Sequence, residues 1–320
     1  MTDSRSMNRL RVVRSGRASR TAEHNALFRM LEGSFPPGVR LFEDLLAPAF
    51  LTWPLVALRP VVSMPAGGRA VCRVIDRRWP GVRTSVAART RLIDDTLDAL
   101  ADSRLGQLVI LGAGFDTRPY RLGRLRSVPV FEVDHPDTQA AKRDVLRRVL
   151  PALPGNVTFV PSDFNVGTLV GTMSTSGYEP SRPTVFLWEG VTNYLTERAV
   201  DATLRWCAQA AEDSLLLFTY VHSDVLSKPD AFVGGRRLHS TLDKVGEQLT
   251  FGMDPTDMAP YLAERGLKLD WDLGAAEYRA RYFGGRAKAM VGHEFYRVAA
   301  AHVSTASSII VSSPARERQA

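Results

Sequence analysis

The chain has 320 residues, of which 45% are hydrophobic, and carries a formal net charge of +7. This size and composition predict a folded globular protein with a large core and exclude a disordered chain. No apolar run reaches the roughly 18 residues of a membrane span, and no secretory signal follows the arginine-rich N-terminus. We therefore expect a cytoplasmic protein without a membrane partner. Two widely separated cysteines, Cys72 and Cys207, indicate neither a disulfide framework nor a zinc site, and we predict no metal.

Most of the positive charge lies at the N-terminus. Residues 1–20 contain six arginines and one aspartate, which leaves +2 for the other 300 residues. We interpret this segment as a flexible basic tail. Such a tail can also bind RNA, so a nucleic-acid-binding protein remains an alternative. Because the rest of the chain is nearly neutral, we expect no nucleic-acid partner.

The next residues predict a helical cap over 21–83. Residues 20–32 have the spacing of an amphipathic helix, and the proline-rich segment 39–80 is typical of short helices joined by turns. A further helical pattern over 84–100 leads into an apolar strand. We take residue 84 as the start of the main domain, which extends to 311 and is followed by a polar tail over 312–320.

The main domain alternates between strand and helix patterns, which predicts an α/β fold with a Rossmann-like parallel sheet. Residues 222–260 form a polar insertion after the fifth strand, a place where substrate lids often occur. The predicted strands are 108–111, 129–133, 157–160, 184–188, 214–220, 267–273 and 300–311, and the predicted helices within this domain are 136–149, 196–211 and 258–265.

A glycine turn follows the first strand at Gly112 and Gly114. Glycine lets the backbone turn sharply and approach a ligand, although a tight turn also needs glycine when nothing binds. A dinucleotide fingerprint would require a third glycine where this chain has Thr117, and no phosphate-binding loop is present. Asp134, after the second strand, can accept both hydroxyls of a ribose, or it can simply cap the strand end. An adenosine ligand without phosphates, S-adenosylmethionine, fits this pattern.

Two further strands end in residues that suit this ligand. Asp163 and Phe164 follow the third strand and are placed for adenine, although Asp163 is also a common turn residue. Glu189 follows the fourth strand, where ligands bind in open α/β sheets. A buried carboxylate is costly unless it is paired, and a sulfonium or α-amino group would be such a partner. The alternative is that Glu189 caps the next helix.

Three motifs resemble the leucine carboxyl methyltransferase family of class I methyltransferases: LGAGFDTRPYRL at 111–122, FEVDHP at 131–136 and EGVTNYL at 189–195. The similarity also takes in residues 40–47 and 88–95, and so covers most of 20–300. It implies that S-adenosylmethionine is the methyl donor. By this resemblance, its methionine carboxylate would contact Arg89, its amino-acid backbone Gly112, its ribose Asp134, its adenine Asp163 and Phe164, and its amino group Glu189.

Bacterial members of this family include enzymes that methylate small molecules, among them polyketide carboxylic acids. Residues 39–80 lack the Ser-Ile-Gly-Tyr-Trp-type segment of the phosphatase methylases, which argues against a protein substrate. We therefore predict O-methylation of the carboxylate of a small, secondary-metabolite acid. A carboxylate is already ionised at neutral pH and needs only to be aligned with the methyl group.

Alternatives to carboxylate methylation remain open. A phenol or alcohol acceptor would need a base, for which His222 is best placed, and Tyr194 is a second candidate for the acceptor pocket. A regulatory protein that binds S-adenosylmethionine without turnover would contain the same donor residues, and so would a nucleic-acid methyltransferase that uses the arginine-rich tail. The sequence does not predict the oligomeric state.

Overall fold

The computed structural model describes residues 20–101, 105–164, 169–245 and 247–304. The predicted basic tail, apart from Arg20, and the predicted polar tail over 312–320 lie outside the described residues. Within the four described ranges, no helix combines the length and the apolar character that crossing a bilayer requires.

Seven strands form one sheet in the order β3-β2-β1-β4-β5-β7-β6. The first five are parallel, whereas β7 runs antiparallel to both β5 and β6. The α/β, Rossmann-like prediction is therefore confirmed. Because the order reverses between β1 and β4, the carboxyl ends of these strands border the crevice in which open α/β sheets bind ligands. The strands are β1 Gln107–Leu111, β2 Val130–Asp134, β3 Val157–Pro161, β4 Thr184–Trp188, β5 Leu215–Val221, β6 Leu267–Gly274 and β7 Tyr296–Val303.

Helices cover both faces of the sheet and form the cap. The α-helices are α1 Arg20–Glu32, α2 Arg59–Val62, α3 Pro65–Arg78, α4 Val82–Ala101, α5 Arg118–Arg121, α6 Pro136–Val149, α7 Leu169–Ser174, α8 Glu197–Cys207, α9 Asp224–Ser227, α10 Gly235–Val245, α11 Pro255–Ala263 and α12 Ala275–Phe283. Short 3-10 helices lie at Ala47–Phe50, Leu55–Leu58, Gly123–Ser127, Thr192–Tyr194, Pro229–Ala231 and Gly284–Ala289.

The core has two layers, one on each face of the sheet. On one face, α8 and α11 pack against Trp188 and Phe218, and on the other, α4 and α12 pack against Leu187 and Val298. All five residues of β1 and of β4 are buried, as expected for the centre of a parallel sheet covered on both faces. Because both faces of the sheet are covered by helices, we expect the site at the carboxyl edge of the strands.

The cap has its own apolar core, formed by α1, α3 and the segment between them, and Phe115 and Leu146 of the main domain pack into it. Helix α1 has the predicted bounds, but the expectation of only short helices over 39–80 is wrong, because α3 has 14 residues. The Gly67-Gly68 pair, a sequence typical of turns, lies inside α3. A Cβ at Gly67 would lie 2.2 Å from the Val61 carbonyl oxygen, so glycine there permits close packing within the cap.

Three predicted element bounds need correction. The last strand is Tyr296–Val303 and not 300–311, because residues 298–301 are buried on both faces and show no alternation to mark its start. Residues 305–311 lie outside the described ranges. The helix predicted over 196–211 ends at Cys207, and the Ala211 amide donates instead to the Pro180 carbonyl. The helix predicted over 258–265 is Pro255–Ala263, because Asp254 caps it three residues earlier than the apolar pattern suggested.

The predicted insertion after β5 contains α9 and α10 and then returns to the sheet. Thr250 donates its amide to the Asn193 carbonyl (2.8 Å), and Met253 donates its amide to the Val221 carbonyl (3.0 Å). These bonds bring residues 247–253 beside the loop that follows β4. The insertion therefore borders the carboxyl edge of the sheet.

Candidate functional site

The glycine turn after β1 has the conformation that the sequence suggested. Gly112 has φ +68°, and a Cβ at this position would lie 2.3 Å from Val191 Cγ2, so a side chain is excluded. Gly114 has φ +41°. A Cβ built at this position would lie 3.6 Å from the Cβ of Ala22 on α1. A Cβ at Gly114 would therefore be in van der Waals contact with Ala22, so α1 lies against the turn.

Asp134, the last residue of β2, is hydrogen-bonded to this turn. One carboxylate oxygen accepts from the Gly114 amide and the other from the His135 amide at 2.6 Å. Burial raises the pKa of Asp134, and these amide bonds oppose the increase. Each oxygen keeps a further lone pair, so the carboxylate can still accept the two hydroxyls of a ribose.

Asp163 and Phe164 lie just beyond β3 and are partly buried. Phe164 packs against the core layer of α8 and α11. Residues 165–168, which follow directly, lie outside the described ranges. The assignment of Asp163 and Phe164 to adenine stays a prediction.

Glu189 follows β4 and forms two ion pairs with buried arginines. Its Oε1 accepts from Arg89 Nε and its Oε2 from Arg118 Nη1, both at 2.7 Å. Burial opposes ionisation of Glu189, but Arg118 and Arg89 lower its pKa to about 2. Glu189 is therefore a carboxylate at neutral pH, and the partner that its burial requires is provided by the protein itself.

Arg118 is the centre of a buried charge network. Besides Glu189, it contacts Asp94 through Nε at 2.7 Å and Asp116 through Nη1 at 2.6 Å. Arg121 forms a second ion pair with Asp94. This network joins α4, the glycine turn and the end of β4, so it fixes Glu189 relative to the turn.

Arg118 and Asp94 are not among the site residues predicted from the sequence. The signal was charge within the apolar helical pattern of α4, where Arg89 and Asp94 are only 3% and 4% exposed and Ile93 is fully buried beside them. Ionisable residues at apolar helical positions are rarely fully buried unless they are paired. That rule would have suggested partners for both.

A second group of missed residues comes from the start of β7. The Arg89 guanidinium lies 4.6 Å from the centroid of the Tyr296 ring, and the His293 ring stacks on Tyr296 at 5.3 Å. The Tyr296 hydroxyl lies 3.7 Å from the position of an ideal Cβ on Gly190. Tyr296 therefore lies beside Arg89 and the end of β4.

His293 is buried and has left-handed backbone geometry, with φ +67°. Burial, assisted by Arg89 and Arg279, lowers its pKa to about 3. Its Nδ1 has no hydrogen-bond partner among the described residues. His293 is therefore a neutral imidazole at neutral pH.

Tyr194 lies where α1, the loop after β4 and the insertion meet. Its hydroxyl interacts with Thr21 and Asn193, and burial raises its pKa. Thr21 Oγ1 also donates to Glu247, a residue of the insertion. Tyr194 therefore lies at the junction of these three segments, and its role in an acceptor pocket stays a prediction.

His222 follows β5 directly and is engaged in local contacts. Its Nδ1 accepts from the Asp224 amide at 3.1 Å, its Nε2 lies 3.9 Å from Asp254 Oδ2, and its ring packs against Phe232. No hydrogen bond or ion pair joins His222 to Glu189 within the described ranges. These contacts indicate that His222 stabilises the first turn of α9. Its predicted role as a base stays untested.

Residues 22–208, more than half of the chain, match the leucine carboxyl methyltransferase family, and the chain belongs to this family. It is 34% identical over 164 residues to a Frankia alni protein and 34% identical over 192 residues to a Parafrankia protein. Both carry names that describe S-adenosyl-L-methionine-dependent methyltransferases. The matches span 51% and 59% of this chain, and 55% and 58% of the relatives' lengths.

Two solved structures share the fold. A DUF574 family protein of Streptomyces avermitilis superposes with a TM-score of 0.57 at 14% identity, over 89% of this chain and 97% of that one. A protein of Thermobifida fusca, described as a methyltransferase, superposes with a TM-score of 0.52 at 17% identity, over 84% of this chain and 98% of the other. The class I methyltransferase-type fold therefore extends beyond the part that the family match covers.

Proposed function

We propose that the protein is an S-adenosylmethionine-dependent O-methyltransferase that methylates the carboxylate of a small acid. The observation that carries the donor assignment is the convergence of Gly114, Asp134 and Glu189 at the carboxyl ends of three neighbouring strands. The family membership and the names of the relatives support the same donor.

The chain's own residues fit this donor. Asp134 retains lone pairs for a ribose beside the turn at Gly112 and Gly114, and Glu189 is an anion next to Gly190. Arg89 would hold the methionine carboxylate and Glu189 the α-amino group, while Asp163 and Phe164 would contact adenine. When bound, S-adenosylmethionine supplies an activated methyl group on a cationic sulfur.

The acceptor class is proposed from the protonation states of the nearby groups. His293, with a pKa of about 3, is too weak a base to deprotonate an alcohol at neutral pH, and burial raises the pKa of Tyr194. A carboxylate acceptor needs no base, because it is ionised above its pKa of about 4. The protein then has to exclude water, hold the acceptor oxygen in line with the methyl group and balance charge.

Phenol or alcohol methylation is the competing function, with His222 as the predicted base. His24 on α1 is a second histidine near this region; burial lowers its pKa, while Glu23 and Glu247 oppose that decrease. A reaction on a phenol would require one of these histidines, whereas a reaction on a carboxylate would require neither.

The first test is donor binding. We expect the protein to bind S-adenosylhomocysteine, and Asp134→Ala to weaken this binding at least tenfold, which corresponds to losing about 1.4 kcal/mol of hydrogen bonding. Isothermal titration calorimetry measures both values. Asp137→Ala, an exposed acid three residues later on α6, is the matched control. Equal affinities for the wild type and Asp134→Ala would refute the ribose assignment.

The second test identifies the bond that is formed. Carboxylic acids and phenols are screened for release of S-adenosylhomocysteine, and the products are treated with alkali. A methyl ester releases methanol under alkali, whereas a methyl ether does not. Turnover confined to phenols, with alkali-stable products, would overturn the carboxylate proposal while leaving the donor assignment intact.

A further inference from the structure

The exposed side of α3 presents a row of arginines. Arg69, Arg73 and Arg77 are spaced four residues apart and are all exposed, so they share one face of the helix. Like charges at this spacing destabilise a helix. None of the three side chains pairs with a carboxylate of the described residues. An anionic partner bound to this face would reduce the repulsion between the three arginines.

The surrounding sequence provides no neutralising acid. Arg59 and Arg78 are also exposed, and the only acid between residues 45 and 80 is Asp76. Arg83 engages Asp76 through two hydrogen bonds of 3.0 and 2.7 Å. Residues 59–78 therefore carry five exposed arginines, a positive charge that is separate in sequence from the N-terminal tail.

Apolar side chains project from the same segment. Trp53 is 79% exposed, Val74 is 63% exposed and Met64 is 56% exposed. Val61, also exposed, packs against Gly67 of α3, so the short helix α2 lies beside the arginine row. We call the exposed side chains of residues 53–78 the cap patch.

We propose that the cap patch is a docking surface for anionic lipid bilayers. Clusters of four to eight basic residues bind anionic headgroups, and tryptophan favours the boundary between headgroups and acyl chains. Aliphatic side chains gain free energy by entering that boundary. We expected no membrane partner because the sequence contains no apolar run long enough to span a bilayer, but a peripheral surface requires no such run.

Other occupants fit the cap patch less well. Residues 1–19 carry five arginines and one aspartate, so the N-terminal segment would be repelled. A second copy would bring the same positive charge. RNA would neutralise the arginines, but Val74 and Met64 would gain nothing from a phosphate backbone.

The test uses the full-length protein and sedimentation with lipid vesicles. We expect about tenfold or greater preference for vesicles with about 30 mol% phosphatidylglycerol over pure phosphatidylcholine, and reduced binding at higher salt. Arg69→Glu with Arg73→Glu should weaken this binding at least tenfold. Arg126→Glu with Arg198→Glu makes the same change in net charge at two other exposed arginines and should alter binding less than about twofold.

Trp53 provides an independent measurement. Bilayer contact should shift the tryptophan emission to shorter wavelength, and Trp53→Ala should abolish the shift and weaken binding. Circular dichroism and thermal unfolding confirm that each variant folds. An RNA gel-shift assay and a variant lacking residues 1–19 complete the experiment.

The proposal is supported if the shortened variant retains vesicle binding that depends on Arg69 and Arg73. It is overturned if both charge-reversal pairs lose binding equally, which would indicate attraction to the whole protein. It is also overturned if removal of residues 1–19 abolishes binding, if pure phosphatidylcholine binds equally well, or if only RNA binds the cap patch.

Discussion

The proposed donor side and the proposed acceptor side of the site are built in different ways. The donor side, with Arg89, Arg118, Asp134 and Glu189, is held by buried ion pairs and by the ends of three central strands. The acceptor side brings together α1, the loop after β4, the insertion and the start of β7 through a small number of hydrogen bonds.

This difference indicates which part of the site can vary. A buried charge network tolerates little change, because removing one member leaves its partners uncompensated. Loops and an insertion on a rigid sheet can change without disturbing the core. We therefore infer that the donor side fixes the chemistry and that the acceptor side determines which molecule is methylated.

The largest effect should come from removing the centre of the donor network. Arg118→Leu would leave Asp94, Asp116 and Glu189 short of one buried partner, and we expect a loss of about 3–5 kcal/mol in the free energy of unfolding. Urea denaturation measures this loss. Arg205→Leu, which removes an exposed ion pair on α8, should cost less than about 1 kcal/mol. Similar losses for the two variants would contradict the contrast between buried and exposed pairs.

Glu189→Gln tests the carboxylate within the same network. We expect S-adenosylhomocysteine binding to weaken about ten- to hundredfold, because a bond to a charged group contributes about 1.5–3 kcal/mol. Since the pKa of Glu189 falls from an ordinary 4.5 to about 2 on folding, its ionised form stabilises the protein above pH 4.5. This stabilisation is lost as the pH falls toward 2.

The stability difference between the wild type and Glu189→Gln should therefore be full at neutral pH and should narrow below pH 4.5. Chemical denaturation at several pH values measures it. Glu179→Gln, at a largely exposed position, is the control for both measurements. A difference that stays constant from pH 7 to pH 3 would show that ionisation of Glu189 is not the cause.

His293 should make the protein sensitive to mild acid. The unfolded chain binds a proton at His293 near pH 6.5, whereas the folded chain does so only near pH 3. Stability should therefore decrease as the pH falls below 6.5. His293→Asn, which suits the left-handed backbone, should reduce this slope by up to about 1.4 kcal/mol per pH unit. If the slopes of the two proteins coincide between pH 6 and pH 4, His293 is protonated in the folded state.

A smaller effect is expected on the acceptor side. Thr21→Val removes the hydroxyl that donates to Glu247 and contacts Tyr194, at a cost of about 0.5–1.5 kcal/mol. We expect the KM for the acceptor to rise about two- to tenfold while the KM for the donor stays unchanged. Steady-state kinetics with each substrate varied in turn separates the two. An equal rise in both values would contradict the division into two sides.

The smallest effect should follow from changing His222. Since its Nδ1 already accepts from the Asp224 amide, we expect His222→Ala to change kcat less than about twofold. His24→Ala should behave in the same way with a carboxylate acceptor. A hundredfold loss of kcat in either variant, with a rate that rises through neutral pH, would instead favour the phenol or alcohol acceptor.

The sequence predicted the central sheet well because its signals are local. Short apolar runs ending in glycine or acid mark both the strands and the edge where ligands bind, as at Gly112 and Asp134. The network around Arg118 was missed because its partners lie on α4, on the glycine turn and after β4. Nothing in the sequence spacing shows that these segments meet.

The sequence by itself determined the Rossmann-like α/β fold, the glycine turn, the acids after β2 and β4, and the membership in a methyltransferase family. Those features depend on backbone geometry and on residues a few positions apart. Only the tertiary structure decided that Arg89 and Arg118 neutralise Glu189, that Tyr296 and His293 stack beside them, and that Thr21 reaches Glu247. The physical reason is that burial and pairing of charge depend on which distant segments pack together.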